Sequence, residues 1–427
     1  MDIAILFGLL FVLLALSVPI GISLGIATAV TILTCSHLPL VLIAQNAFTG
    51  MDSFPMLAIP FFMLAGSLMT YGGISRRIVD MAECFVGFIT GGLAMVTIVA
   101  CMFFGAISGS AAATVSAIGS FMVPMMVEKK YKPDFAAAVI SSSGTIGCII
   151  PPSIPFVVYG VLTGTSVSDL FIAGVIPGVT IGLALMAVAY VISKKEGYPR
   201  MSGLPTFKHV VKTFAGSIWA LFVPIIILGG IYGGIFTPTE AAAVSAVYGL
   251  IVGLFIYRTL RWKDLLSLLR DSVSQTAVVM FIVGTASLFA WVLTVTGIAA
   301  SASNALVEIC GGNKYIFLLI VNVILLIAGC FIDANSAMYI IVPILYPVAT
   351  SLGIDGVHLG CIMVMNLAIG LVTPPVGVNL YVGCGISNII LKQISKAVLP
   401  FVGASLLALL LTTYIPFFAM GIPSLLG

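Results

Sequence analysis

IGCIIPP, residues 146–152, returns as IGLVTPP, residues 369–375. Adjacent prolines inside an apolar run remove backbone donors and clash with the turn before them, so each run reads as a helix that breaks there. Gly147 and Gly370 loosen the turn just ahead of each break. The carbonyls of that turn lose their partners, and a bare carbonyl is unfavourable in hydrocarbon unless something occupies it. The two copies lie 223 residues apart. At the same offset Gly160 meets Gly383, Pro124 meets Pro347, Ala111 meets Ala334 and Ser110 meets Asp333. Identity between the spans is otherwise low, so the helix breakers carry the repeat.

The medium around these breaks follows from composition. The 427 residues are 61% hydrophobic and 7% charged, with a mean hydropathy of +1.26, where a soluble domain carries roughly 25% charge. Apolar segments recur along the whole chain and leave no room for a soluble domain, so the lipid bilayer is its medium. The first run, Ile3 to Leu33, is too long for a signal-peptide core and has no positive residue before it; it reads as a retained helix kinked near Pro19, with no targeting segment removed. A net charge of +3 is too small to suggest nucleic acid. The eight cysteines (35, 84, 101, 148, 310, 330, 361 and 384) form no CxxC pair and read as small core residues. His37, His209 and His358 fall in predicted loops without metal-ligand spacing. There is no GxxxxGK[ST] loop and no HExxH. A lone intramembrane aspartate lacks the second carboxylate that an aspartyl protease needs. The chain reads as no enzyme, and ion-coupled transport remains.

Apolar runs predict an all-α polytopic membrane protein with helices near 3–33, 39–71, 134–162, 168–193, 215–235, 238–257, 272–298, 358–390 and 398–420. Two further stretches, 88–127 and 314–350, each join two apolar arms through a polar tip, SGS at 108–110 and DANS at 333–336. Each is a pair of crossings or a re-entrant hairpin; hydropathy does not separate the two, and both return the chain to the side it left. Counting crossings puts 16 of the 17 Lys and Arg on one side, with Lys314 alone opposite. The positive-inside rule makes the rich side the cytoplasm. The loop EKKYK at 128–132 corresponds to SLGID at 351–355, which has no Lys or Arg, so the repeats read as inverted. The first repeat is 1–192, with hairpin 88–127 and broken helix 134–162; a cytoplasmic linker, 193–214, leads to the second, 215–427, with hairpin 314–350 and broken helix 358–390. SRRIVDMAECF at 75–85 and RTLRWKDLLSLLR at 258–270 predict helices lying along the cytoplasmic interface. Glu240, three residues after Thr237, predicts a capping box with a structural role.

Each half therefore sets a polar tip beside a broken helix. The candidate ligands of the first are Ser108 and Ser110, carbonyls near Gly147 and Ile150, and the SSSGT hydroxyls at 141–145. Those of the second are Asp333, Asn335 and Ser336 with Asn366, Gly370 and Thr373. Oxygen-only donors at broken helices suit a hard cation such as Na+. Taken singly, such residues equally serve close helix packing; the paired constellation is what points to a site. A central aspartate costs about 2.5–3.5 kcal/mol on insertion scales. With no Lys or Arg in its predicted membrane layer, Asp333 calls for a bound cation or a proton. Capping of the second hairpin arm is a compatible structural role.

The runs FFGAISGSAAATVSAIGSFMVPMM, IIPPSIPFVVYG, GGIFTPTEAAAVSAVYG and IGLVTPPVGVNLYV resemble the large membrane subunit of TRAP transporters, over essentially the whole chain. The resemblance implies an elevator-type secondary transporter of the bacterial inner membrane, with two re-entrant hairpins and a Na+ gradient as energy source. It implies as partners a small four-helix membrane subunit, absent from this chain, and a periplasmic substrate-binding protein that delivers an organic acid. Ser108 to Ser110 with the break through Gly147 and Pro152 resemble one family Na+ site; Asp333 and the IGLVTPP run resemble the other. Substrate would lie between the tips, against Ser110, Ser143, Asn335 and Ser336. DANSAMY resembles the sialic-acid branch, while importers of C4-dicarboxylates and other carboxylates share the scaffold. A proton-coupled carrier using Asp333 is the rival expectation.

Overall fold

The computed structural model describes residues 2–35, 39, 41–201 and 205–426. His37, the SHLPL loop apart from Pro39, residues 202–204 of the expected linker, Met1 and Gly427 lie outside the described residues. The described chain is helical throughout. The first apolar run forms two helices, α1 (Asp2–Ala15) and α2 (Ile20–Cys35), where one kinked helix was expected. Pro19 cannot join a helical ladder and Ser17 takes a φ of +61°, so the chain turns and the two helices pack on each other. After α3 (Val41–Met51), a 3-10 turn at Phe54–Leu57 leads into α4 (Ala58–Tyr71). The expected surface helix follows as α5 (Ile74–Val86): Ile78, Val79 and Ala82 are buried while Arg76 and Asp80 are exposed.

The first tip-bearing stretch is α6 (Gly92–Ser108) and α7 (Ala111–Glu128), packed on each other. The first broken helix is α8 (Pro133–Gly144), a 3-10 turn at Thr145–Cys148, the proline pair, and α9 (Ile154–Thr163). Then come α10 (Val167–Glu196), α11 (Phe207–Tyr232), α12 (Pro238–Ile256), α13 (Trp262–Val295) and α14 (Ile298–Cys310). The second half continues with α15 (Lys314–Phe331), α16 (Ala334–Ser351), α17 (Gly356–Gly370), α18 (Val378–Ser387), α19 (Leu391–Ala397) and α20 (Leu399–Tyr414). Seven helices among the described residues are long and apolar enough to cross a membrane, eight if α19 and α20, bent by 49°, count as one span.

Three boundaries depart from the hydropathy reading. α11 starts inside the expected 193–214 linker. α13 absorbs most of the expected surface helix 258–270: Lys263, Asp264, Arg270 and Asp271 interrupt hydropathy, not helix, so one helix of 34 residues results. Such a helix is about 51 Å long, well beyond a hydrocarbon core of about 30 Å. The gap between the expected segments 272–298 and 314–350 is mostly α14, a helix of 13 residues and too short for a membrane-span window.

The breaker repeat extends to whole elements. Moved by 223 residues, α7 falls on 334–351, the span of α16, and α9 falls within one residue of α18. The halves interlock: α18 packs on α7 and α8, and α9 on α16 and α17. This body, with α10 and α20, faces a frame in which α4 packs along α12 and α13 lies along α2, α3 and α4. Contacts at the helix ends group as the charges do. Lys132 pairs with Glu196 at 2.7 Å, and the Arg77 guanidinium lies 3.4 Å over the Tyr257 ring. Away from these basic loops, Tyr159 Oη donates to Gly356 O at 2.7 Å.

Candidate functional site

The first tip is held by its own hydroxyls. Ser110 caps α7, accepting from Ala113 N at 3.4 Å, and Ser108 Oγ lies 2.9 Å from Thr114 Oγ1, which donates to Ser110 O. The tip touches the broken helix directly: Ile154 N donates to Gly109 O at 3.2 Å and Ala111 N to Cys148 Sγ at 3.3 Å. The carbonyls of Gly147 and Ile150 accept no backbone hydrogen bond among the described residues: Pro151 offers Gly147 no donor, and Ile154 N, the donor that a continuing helix would give Ile150, goes to Gly109 O. Glycine at 147 has a second reason. A Cβ there would stand 2.4 Å from Thr114 Oγ1, and one on Gly105 would stand 3.0 Å from Gly147 Cα.

The second tip repeats this plan with a carboxylate. Asp333 caps α16, Oδ1 accepting from Asn335 N at 3.0 Å and Ser336 N at 3.1 Å, while Ser336 Oγ donates to Oδ2. Gly377 N donates to Cys330 O at 3.1 Å, joining this tip to its own break. Gly329 and Gly370 meet backbone to backbone, as Gly105 and Gly147 do; a Cβ on Gly370 would lie 2.5 Å from Gly329 Cα.

Both tips line one cavity of about 120 Å³, with Ser110, Asp333, Asn335, Asn379 and Cys148 on its walls. A larger cavity of about 540 Å³ begins at Ser108 and Ser110 and runs between the frame and α7, past Ser67, Thr70, Ser116, Ser120 and Gln275. Ser120 and Thr70 lead toward the basic loops at 129–132 and 76–77, so this second space extends to the end richest in Lys and Arg. No Lys or Arg lines either one.

A model of the tripartite ATP-independent periplasmic transporter, DctM component, matches residues 7–418. The chain belongs to the DctM family. An isethionate TRAP transporter permease of Oleidesulfovibrio alaskensis is 47% identical over 96% of this chain, which spans 65% of that protein's length. The C4-dicarboxylate large permease DctM of Pseudomonas aeruginosa is 44% identical, covering 95% of this chain and 94% of its own. The sialic acid large permease SiaM of Vibrio cholerae is 39% identical, over 98% of each. Among solved structures, the YdaH transporter of Alcanivorax borkumensis shares the fold at a TM-score of 0.64, with 13% identity and 90% of both chains covered.

In this DctM chain the expected residues divide. Ser108, Ser110, Asp333 and Asn335 line the cavities; Ser143, Gly147, Ile150, Pro152, Ser336, Asn366, Gly370 and Thr373 do not. Ser143 donates to Val139 O at 2.6 Å within its own helix, and Thr373 to Ile369 O at 2.8 Å. Asn366 joins a buried amide chain, donating to Asn322 Oδ1 at 2.7 Å, while Asn322 donates to Thr413 Oγ1 at 3.2 Å. Ser141 and Asn379 bond reciprocally across the two halves at 3.0 and 3.2 Å. Asn379, unforeseen in the sequence, is fully buried with its Oδ1 unpartnered, as is Asn335 Oδ1 beside the same cavity. His358, expected in a loop, is buried in the first turn of α17, its Nε2 2.8 Å from Thr412 O.

Proposed function

We propose that this DctM permease imports an organic acid across the bacterial inner membrane in symport with Na+, fed by a periplasmic binding protein and anchored to a small membrane subunit. The observation that carries the reading is the cavity shared by Ser110 and Asp333. Hairpins that crossed the whole bilayer from opposite sides would leave their tips at opposite surfaces. Tips that share a small cavity and touch the mid-span breaks are compatible with re-entrant hairpins meeting near mid-membrane. The walls offer a carboxylate, amide oxygens and the Ser110 hydroxyl without any cationic side chain. An anion entering such a site must bring cations with it, and hard monovalent ions match these donors. The interlocked body of α6–α9 and α15–α18 then moves as one against the α4, α12 and α13 frame, an elevator step.

The substrate is a compact organic anion. An acid of the kind of isethionate or a C4-dicarboxylate is favoured, the substrates named for the relatives with 47% and 44% identity. The sialic-acid expectation rests on DANSAMY and on the 39% identity to SiaM, below that of the isethionate and C4-dicarboxylate relatives. The test is uptake by proteoliposomes holding this chain with its membrane partner and loaded binding protein. Uptake follows an imposed Na+ gradient and Asp333→Ala abolishes that dependence. Uptake driven equally by a pH gradient, with Na+ absent, overturns the coupling in favour of the proton-driven alternative.

A further inference from the structure

A third cavity, of about 570 Å³, lies apart from the tips, between α5 and the first half of α11. Arg76, Arg77, Asp80 and Glu83 line it from α5, and His209 and Lys212 from α11. One cation is fixed: Arg77 Nη1 donates to Gly73 O at 3.0 Å, its guanidinium stacks on Tyr257, and Ser217 Oγ donates to its carbonyl at 3.1 Å. The others are open. The ion pairs among the described residues are Lys132–Glu196 and Arg261–Asp264, so Arg76, Arg77 and Lys212 have no carboxylate within 4.0 Å. Three permanent cations against two carboxylates leave the walls net positive even with His209 neutral. Partial desolvation of the exposed Asp80 raises its pKa, against the opposing pull of Arg76, Arg77 and His209.

The position says what kind of anion fits. α5 is amphipathic and lies at the basic end of the molecule, where headgroups meet water. The wall made by α11 continues into Ile218, Trp219 and Phe222, exposed apolar side chains at 45%, 41% and 41% within a helix long enough to span the bilayer. A soluble anion uses none of that surface, whereas acyl chains do. We infer that the cavity holds the headgroup of an anionic phospholipid, its phosphate on Arg76 and Lys212 and its glycerol hydroxyls on Asp80 and Glu83. Guanidinium and ammonium groups both serve phosphate, and hydroxyl donors complete the two carboxylates. A bound lipid would pin α5 to α11 and to the turn at Tyr257–Thr259.

Native mass spectrometry of the full chain in detergent tests this with dioleoylphosphatidylglycerol, dioleoylphosphatidylcholine and inorganic phosphate as probes. Phosphatidylglycerol is retained in preference to phosphatidylcholine, and the double variant Arg76→Gln, Lys212→Gln weakens its retention about thirtyfold, as expected for removal of two interfacial cations. Lys212→Gln alone, at an exposed position, gives an intermediate loss and guards against misfolding of the double variant. Equal retention of both lipids, unchanged retention in both variants, or displacement of the lipid by equimolar phosphate overturns the inference.

Discussion

At the residue scale the molecule turns on Asp333, whose carboxylate both caps α16 and faces the cavity between the tips. The two roles separate experimentally. An asparagine keeps an acceptor for the Asn335 and Ser336 amides but removes the charge, whereas alanine also loses a cap worth about 1 kcal/mol. Asp333→Asn should therefore melt close to the parent in detergent while losing Na+-dependent uptake; Asp333→Ala should lose both. An Asn variant that transports with unchanged Na+ dependence would reduce Asp333 to a cap. Asp333 and Ser110 were legible because a charge or a polar tip in a greasy segment demands an explanation. Asn379, Asn322 and Thr114 were not, since lone amides and hydroxyls commonly bond within helix packing and carry no mark of which do more. Ser143 shows the converse, a plausible ligand whose hydroxyl proton goes to its own helix.

At the scale of elements, the decisive contacts are backbone to backbone. Gly105 with Gly147 and Gly329 with Gly370 bring each hairpin arm onto its broken helix at a distance no side chain permits. A Cβ on Gly370 would lie 2.5 Å from Gly329 Cα and C, and backbone cannot swing aside as a side chain can. Gly370→Ala is therefore expected to destabilise by about 2 kcal/mol, within the range for overpacked cores, and to lower uptake. Gly403→Ala, where a Cβ meets nothing within 4 Å and alanine suits the helix interior better, leaves uptake unchanged and stability equal or slightly raised; thermal melts of the two variants side by side decide the matter. The sequence marked one member of each pair, because Gly147 and Gly370 precede the prolines, but nothing in an apolar arm distinguishes Gly105 or Gly329 from other helix glycines. Helix ends were similarly uneven. Hydropathy places apolar spans well and fails where charged residues of good helix propensity extend them, as at the start of α13.

At the scale of the whole molecule, the sidedness read from the Lys and Arg distribution assigns a direction to the larger cavity. It starts at Ser110, where the tips meet, and passes Ser116 and Ser120 on α7, both exposed along the gap that separates the interlocked body from the frame. Over those ten residues α7 rises about 15 Å toward the Lys129–Lys132 loop, and Thr70 and Tyr71 line the facing wall one short turn before Arg76 and Arg77. If that end is cytoplasmic, the arrangement is open inward, and the gap is the path by which substrate leaves the tips. Cysteines introduced at Ser116 and Ser120, in a Cys384→Ser background that removes the one described thiol that is not buried, should react with a membrane-impermeant maleimide in inside-out vesicles and stay unlabelled in right-side-out ones. Saturating Na+ and substrate should slow the labelling, because the proposed elevator step, carrying the body outward, would close this gap against α4 and α13. Labelling from the opposite face alone would reverse the assigned sidedness, and labelling indifferent to Na+ and substrate together would leave the gap a fixed crevice and remove it from the transport path.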